Sequence, residues 1–286
     1  MRKKLLIILG PTAVGKTDYS IDLALKYGSP VISCDSRQIY KEMSIGTAVP
    51  SASQLSAVKH YFIHSNTVSE LYTAGQYERD ALSLIEKLFS EGHDTLVMAG
   101  GSGFYIDAVC NGLDDVPVCD PQIRASLMSR LSSDGVESLL PDLKRLDPST
   151  YADIDLSNGR RVVRALEACL SSGKPFSSFK THSRKERDFD IEKIGLTRSR
   201  EELYGRINGR VSRMIDDGLV EEVESLAPYR DTAALQTVGY KEIFTYLDGG
   251  CSLEEAVDSI RKNTRHYAKK QLTWWRRDSS VKWINL

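Results

Sequence analysis

Residues 5–20 read LLIILGPTAVGKTDYS. An apolar run meets a Gly-Pro turn, and Gly10, Pro11, Thr12, Ala13, Val14, Gly15, Lys16 and Thr17 fit G-x-x-x-x-G-K-[ST] at every fixed position. A short apolar run ending in glycine reads as a buried parallel strand. The following KTDYSIDLALKYG, residues 16–28, reads as a helix stopped by its own glycine. In a strand–loop–helix unit of this kind the backbone N–H groups curl around one anion, and the helix offers its positive end to the same point. Lys16 adds a point charge, and the Thr17 hydroxyl is suited to hold magnesium. The eight loop residues therefore read as a cradle for a di- or triphosphate. The loop reports the anion and not the reaction, because a kinase, an NTP-driven motor and a transferase that expels pyrophosphate all have use for it.

Working outward, PVISCDS (30–36) and DTLVMAGGSG (94–103) read as two further buried strands, with the helix AGQYERDALSLIEKLFSEG (74–92) between them. Strand and helix alternate as in a parallel α/β sheet. From 113 to 188 the pattern changes to helical segments without a convincing strand. FDIEKIGLT (189–197) then reads as a returning strand, residues 200–226 as one or two helices, 252–277 as a long helix, and SVKWINL (280–286) as a last strand. The expected fold is α/β: a P-loop NTPase-like parallel sheet core flanked by helices, spanning 1–112 and 189–286, with a helical insertion domain at 113–188.

The chain has 286 residues, 41% hydrophobic and 27% charged, and a formal net charge of -1, so bulk charge selects no partner. The charge is nevertheless uneven. RKNTRHYAKKQLTWWRR (261–277) carries seven Lys or Arg and no acid. Such a face serves either as a polyanion site or as a solvated helix surface. The five cysteines are odd in number and contain no C-x-x-C pair, which argues against a disulfide framework or a zinc site and for reduced thiols in a cytoplasmic protein. No apolar run approaches a membrane span, and the run after MRKK is too short for a signal peptide. A monomer is expected.

Many P-loop enzymes place a magnesium-holding Asp after another apolar strand. TLVMAGG ends instead in Gly100-Gly101, and the acid stands after the second strand, as Asp35. In a parallel sheet both strands end on the edge that carries the phosphate loop, which brings Asp35 to the phosphates. Position alone leaves a second reading open, a carboxylate that merely caps the turn at Ser36.

GPTAVGKT, ISCDSRQIYKEMSIGTAVP, GGSGFY, LYGRINGRV, QTVGYKE and TRHYAKKQLTWWR occur in this chain in the order seen in the tRNA dimethylallyltransferases. The resemblance spans about residues 5 to 277. The phosphate loop is generic; the D-S-x-x-[IY]-Y-K-x-M-x-I-G-T-A and R-x-Y-A-K-[KR]-Q-x-T-W strings are specific. The resemblance implies transfer of a dimethylallyl group from its diphosphate to the exocyclic amine of the adenine 3′ to the anticodon in tRNA, with Mg2+ as cofactor. The resemblance further implies Asp35 as general base, Arg210 as a second diphosphate clamp, and a hydroxyl at Ser102, where the family commonly has threonine, bonded to Asp35 or the adenine. Its tRNA contacts map to Asp35, Ser36, Arg37 and Gln38; to Ser102 and Arg124; to Arg160, Arg161, Val162, Val163 and Arg164; and to Gln236, Thr237, Val238, Gly239, Tyr240 and Lys241. Arg160 stands where Gln is usual, and Asn158-Gly159 replace a frequent Asp-Pro. Phe104, Tyr105, Tyr240, Trp274 and Trp275 are candidates for base stacking, although aromatics of this kind are individually more often core residues. No Cys/His cluster follows WWRR, so the resemblance is to the shorter bacterial type without a zinc finger. Three other readings stay open at this point: a small-metabolite kinase, an isopentenyltransferase of free adenine nucleotide, and a non-catalytic RNA-binding module.

Overall fold

The computed structural model describes residues 2–117, 119–181 and 184–286; Val118, His182 and Ser183, within the expected insertion, lie outside the described residues. By contact the chain forms two compact units, one running to Cys110 and resuming at Glu186, the other Asn111–Lys185.

The first unit holds six parallel strands: β1 (Lys4–Leu9), β2 (Val31–Ser33), β3 (His60–Tyr61), β4 (Thr95–Gly100), β5 (Asp190–Thr197) and β6 (Val281–Asn285), in the order β3-β2-β4-β1-β5-β6. Its helices are α1 (Lys16–Tyr27), α2 (Ala52–Ala57), α3 (Ala74–Ser90) and α4 (Gly103–Asn111). In the second unit lie α5 (Pro121–Asp134), α6 (Leu140–Leu146), α7 (Pro148–Asp153) and α8 (Gly159–Ser172). The first unit resumes with α9 (Arg200–Asp216), α10 (Leu219–Ser225), α11 (Tyr240–Leu247) and α12 (Leu253–Trp275).

The central strands are apolar without alternation because both their faces are covered. Leu5, Ile7 and Leu9 of β1, with Leu96 and Met98 of β4, enter one core; Ile8, Val97 and Ala99 enter the other. Successive strand side chains point to opposite faces, so one run feeds both layers. The second unit closes its own core with Leu127, Leu139, Leu143, Val162, Val163 and Leu166.

Short or weakly periodic elements departed from the sequence pattern. α2 has six residues and β3 two, too few to establish a period. The Gly-rich turn after β4 passes at once into α4, and residues 200–226 form two helices broken at Gly218, whose φ is 99°. The parallel register pairs Leu9 with Gly100 and Gly195, and Ser33 with Ala99. The segments leaving β1, β2, β4 and β5 therefore emerge along one edge, where ligands of open α/β sheets bind.

Candidate active site at the strand ends

Side chains of α9, of the segment after β5 and of the loop itself take the carbonyls of the phosphate loop. Arg206 Nε donates to the Ala13 carbonyl at 2.7 Å, Arg198 Nε to that of Val14 at 2.8 Å, and Lys16 Nζ to those of Gly10 and Pro11, each at 2.9 Å. A trans peptide points its N–H opposite to its C=O. With the Val14 carbonyl held outward, the Gly15 N–H is turned inward, and Gly15 reaches this geometry at φ 112°. The N–H groups of Lys16 and Thr17 begin α1 and have no preceding helical turn to bond. The result is a concave set of donors at a helix N-terminus, the arrangement that binds anions.

A cavity of about 740 Å³ opens over this loop, with Lys16, Thr17, Asp35, Arg210 and Tyr267 among its walls. Asp35 follows β2 by two residues, and its Oδ1 accepts from the backbone nitrogens of Arg37 at 2.9 Å and Gln38 at 3.3 Å. The carboxylate thus caps its turn with one oxygen while lining the cavity. Ser102 does not bond Asp35, one of the two partners the resemblance implies for it. Its Oγ accepts the Ser36 N–H at 2.9 Å and lies 3.0 Å from the Ser36 hydroxyl, so its partner is Ser36 and not Asp35. The cause is the close approach of the β4 and β2 ends, where the Ser102 N–H also donates to the Cys34 carbonyl. Gln38, for its part, spends its side-chain amide on the carbonyls of Thr47 and Ala48.

Positive charge gathers on α9, where Arg206, Arg210 and Arg213 follow helical spacing along one face. Arg210 Nη1 donates to Thr12 Oγ1 at 3.3 Å. Burial, then the neighbouring Arg206 and Arg213, lowers the Arg210 pKa. Burial brings Lys16 down to about 8 against the opposing pull of Asp35. Both side chains are cations short of an anion, and a bound polyphosphate would supply one. Tyr267, though 43% exposed, also lines the cavity. Tyr267 and Gln271 belong to the site; both are fixed positions of the R-x-Y-A-K-[KR]-Q-x-T-W string, which assigns them no role.

Residues 38–278 match the IPP transferase family. The tRNA dimethylallyltransferase 1 of Bacteroides thetaiotaomicron is 46% identical over 281 residues, covering 98% of this chain and 91% of that protein. This chain belongs to the tRNA dimethylallyltransferases. Among solved structures, the full-length tRNA isopentenylpyrophosphate transferase of Bacillus halodurans superposes with a TM-score of 0.72 at 38% identity, over 99% of this chain and 90% of that one. A eukaryotic dimethylallyltransferase, seen in crystallographic snapshots acting on tRNA, has a TM-score of 0.83 at 25% identity, over 99% of this chain and 74% of its own.

The residues of this chain that the family pattern associates with tRNA divide by burial. In the second unit Arg160 and Arg161 are exposed at the start of α8. Val162 and Val163 are 0% and 1% exposed and belong to the core, which corrects their expected contact with tRNA: the helix turns their side chains inward. Arg124 and Arg164 pair with the fully buried carboxylate of Glu167, at 2.9 and 3.6 Å. The Asn158-Gly159 departure has a local reason. Asn158 Oδ1 caps α8 by accepting the Arg161 N–H, and a Cβ at Gly159 would stand 2.6 Å from Leu131 Cδ1. In the first unit Gln236, Thr237 and Val238 are half-buried and Lys241 is exposed, but Tyr240 is fully buried with its hydroxyl donated to Glu222, a correction to its role at an RNA surface. Of the other stacking candidates Tyr105 and Trp275 are core residues, whereas Phe104 and Trp274 are 56% and 43% exposed. Among the described residues no helix is long and apolar enough to cross a membrane.

Proposed function

We propose that the chain transfers a dimethylallyl group from dimethylallyl diphosphate to N6 of the adenine 3′-adjacent to the anticodon of tRNA, with Asp35 as general base. The observation that carries this reading is that one cavity holds both the phosphate loop and a carboxylate with no bond to Lys16 or Arg210 among the described residues. An exocyclic amine is a weak nucleophile because its lone pair is delocalised into the ring. As N6 attacks the allylic carbon, the carbon–oxygen bond breaks, its electron pair leaves on the diphosphate, and Asp35 takes the amine proton. The loop amides, Lys16 and Arg210 oppose the charge that gathers on the leaving group. Ile45, Val49, Leu55, Ile63 and Met214 also line the cavity, an apolar wall suited to a five-carbon tail.

Among the described residues no group of three His, Cys, Asp or Glu side chains could hold a metal by itself. The Thr17 hydroxyl, on the cavity wall beside Lys16, is the side chain that would hold a magnesium ion brought with the diphosphate. Bound there, it adds positive charge against the leaving diphosphate.

The anticodon stem-loop is the proposed RNA partner. Arg160 and Arg161 on α8, and Lys269 and Lys270 on α12, are exposed and make no ion pair among the described residues. Incubating the protein with radiolabelled dimethylallyl diphosphate and either tRNA or AMP tests the reading. Label in tRNA alone is expected. Label in AMP would favour the nucleotide reaction, and label in neither would end the proposal.

A further inference from the structure

Gln271 is only 6% exposed, although it lies on the basic helix α12. Its Oε1 accepts the Thr12 N–H at 2.9 Å, and its Nε2 donates to the Gly101 carbonyl at 2.7 Å. Gln271 and Tyr267, one helical turn apart on α12, both line the cavity. One planar group thus joins the loop after β1 to the turn after β4. The fit is close: a Cβ at Gly101 would stand 2.5 Å from Nε2. The β4 turn in turn carries Asp35, since the Ser102 N–H donates to the Cys34 carbonyl and Ser102 Oγ accepts the Ser36 N–H.

We propose that Gln271 is a positioning residue that fixes the distance between the diphosphate held by the loop and the proton acceptor on Asp35. The Thr12 N–H that it occupies is withdrawn from anion binding, while Arg198, Arg206 and Lys16 hold the rest of the loop. Diphosphate affinity therefore does not depend mainly on Gln271. What depends on it is the register of loop and carboxylate, and a misplacement of about 1 Å between reacting groups costs on the order of 10²-fold in rate. The inference rests on the proposed transfer reaction.

The test uses the full chain with Gln271→Met, which keeps volume and removes both hydrogen bonds, and Gln271→Glu, which keeps the acceptor and removes the donor. Wild type is first shown to transfer label to tRNA; failure at that step concerns the proposed function and leaves the wild-type geometry aside. The expected result for Gln271→Met is a single-turnover rate lower by about 10² at saturation, with affinities for inorganic diphosphate and tRNA within about threefold of wild type. Gln271→Glu should be equally slow at neutral pH. Its deficit relative to wild type should narrow as the pH falls and the new carboxyl, once protonated, donates to Gly101 as the amide does. A folded Gln271→Met protein with wild-type rate overturns the inference. So does a loss of diphosphate affinity with the saturated rate preserved. If the Met variant does not fold, the Glu variant decides, and a deficit that stays constant with pH overturns the inference.

Discussion

The hydroxyl of Tyr240 lies 2.6 Å from Glu222 Oε1, and the same carboxylate accepts the backbone N–H groups of Ser44, Ile45 and Gly46 at 2.9, 2.7 and 3.0 Å. The ring also fills the space at Gly46, where a Cβ would meet it at 2.5 Å. A segment that walls the cavity is thereby fastened from below. Glu222→Ala would leave these donors without a partner. A loss of about 2–4 kcal/mol is expected, read as a lower urea midpoint, together with a raised KM for the isoprenoid donor. Unchanged values of both would mean that water replaces the carboxylate.

Asp35→Asn should leave the fold intact and the chemistry slow. Asn caps a turn about as well as Asp, so the bonds that Oδ1 accepts from the Arg37 and Gln38 N–H groups survive. The amide cannot take a proton, and single-turnover transfer should fall by about 10²–10⁴. A rate near wild type at saturating tRNA and donor would remove Asp35 as base.

The lowered Lys16 predicts a pH dependence of donor binding. Its folded value of about 8 means that the free site is charged below that pH and neutral above it. Bound diphosphate favours the charged form, so affinity should be highest below pH 8 and weaken as pH rises through it. Calorimetric titration with an unreactive isoprenyl diphosphate analogue between roughly pH 7.5 and 9.5 checks this, with Lys16→Met expected to be weak and flat. The linkage to stability has the opposite sense. Because the folded value lies below the unfolded one, the burden of the buried charge is fully present below pH 8 and is relieved as pH rises toward the unfolded value.

The arginines of the second unit should separate into two classes. Arg161→Ala should lower the salt slope of tRNA binding by about one unit or slightly less and leave thermal stability unchanged. Arg124→Ala removes a partner of buried Glu167 and should destabilise the chain by roughly 1–3 kcal/mol. Equal effects on binding and stability in both variants would merge the classes.

The legible parts of the fold were those with a strong local signal. β1 and β4 announced themselves as apolar runs, and the phosphate loop by its fixed glycines, lysine and threonine. Asp35 was reachable because parallel strands end together. What was not legible depends on contacts across long separations. Nothing near Gln271 in the chain tells that its amide meets Thr12, 259 positions away. Ser102 was expected at Asp35 or the adenine, and that its hydroxyl meets Ser36 depends on the packing of two strand ends. Val162, Val163 and Tyr240 were expected at the tRNA because they fall within segments the resemblance assigns to it, and only the packed fold shows that their side chains lie inside.

The order in which these contacts become available has a consequence for synthesis. The phosphate loop is among the first segments made, but the side chains that shape it arrive with β5, α9 and α12. Strand β1 must wait for β5, its neighbour in the sheet, until the whole second unit has been translated. Long-range parallel pairing of this kind is slow to nucleate, since the intervening chain must be closed before any contact rewards it. A ribosome-bound chain ending before α12 therefore carries the entire phosphate-loop sequence without its brace to the β4 turn. Competence to pair donor with acceptor arises late, as α12 docks, and not when the loop itself is made.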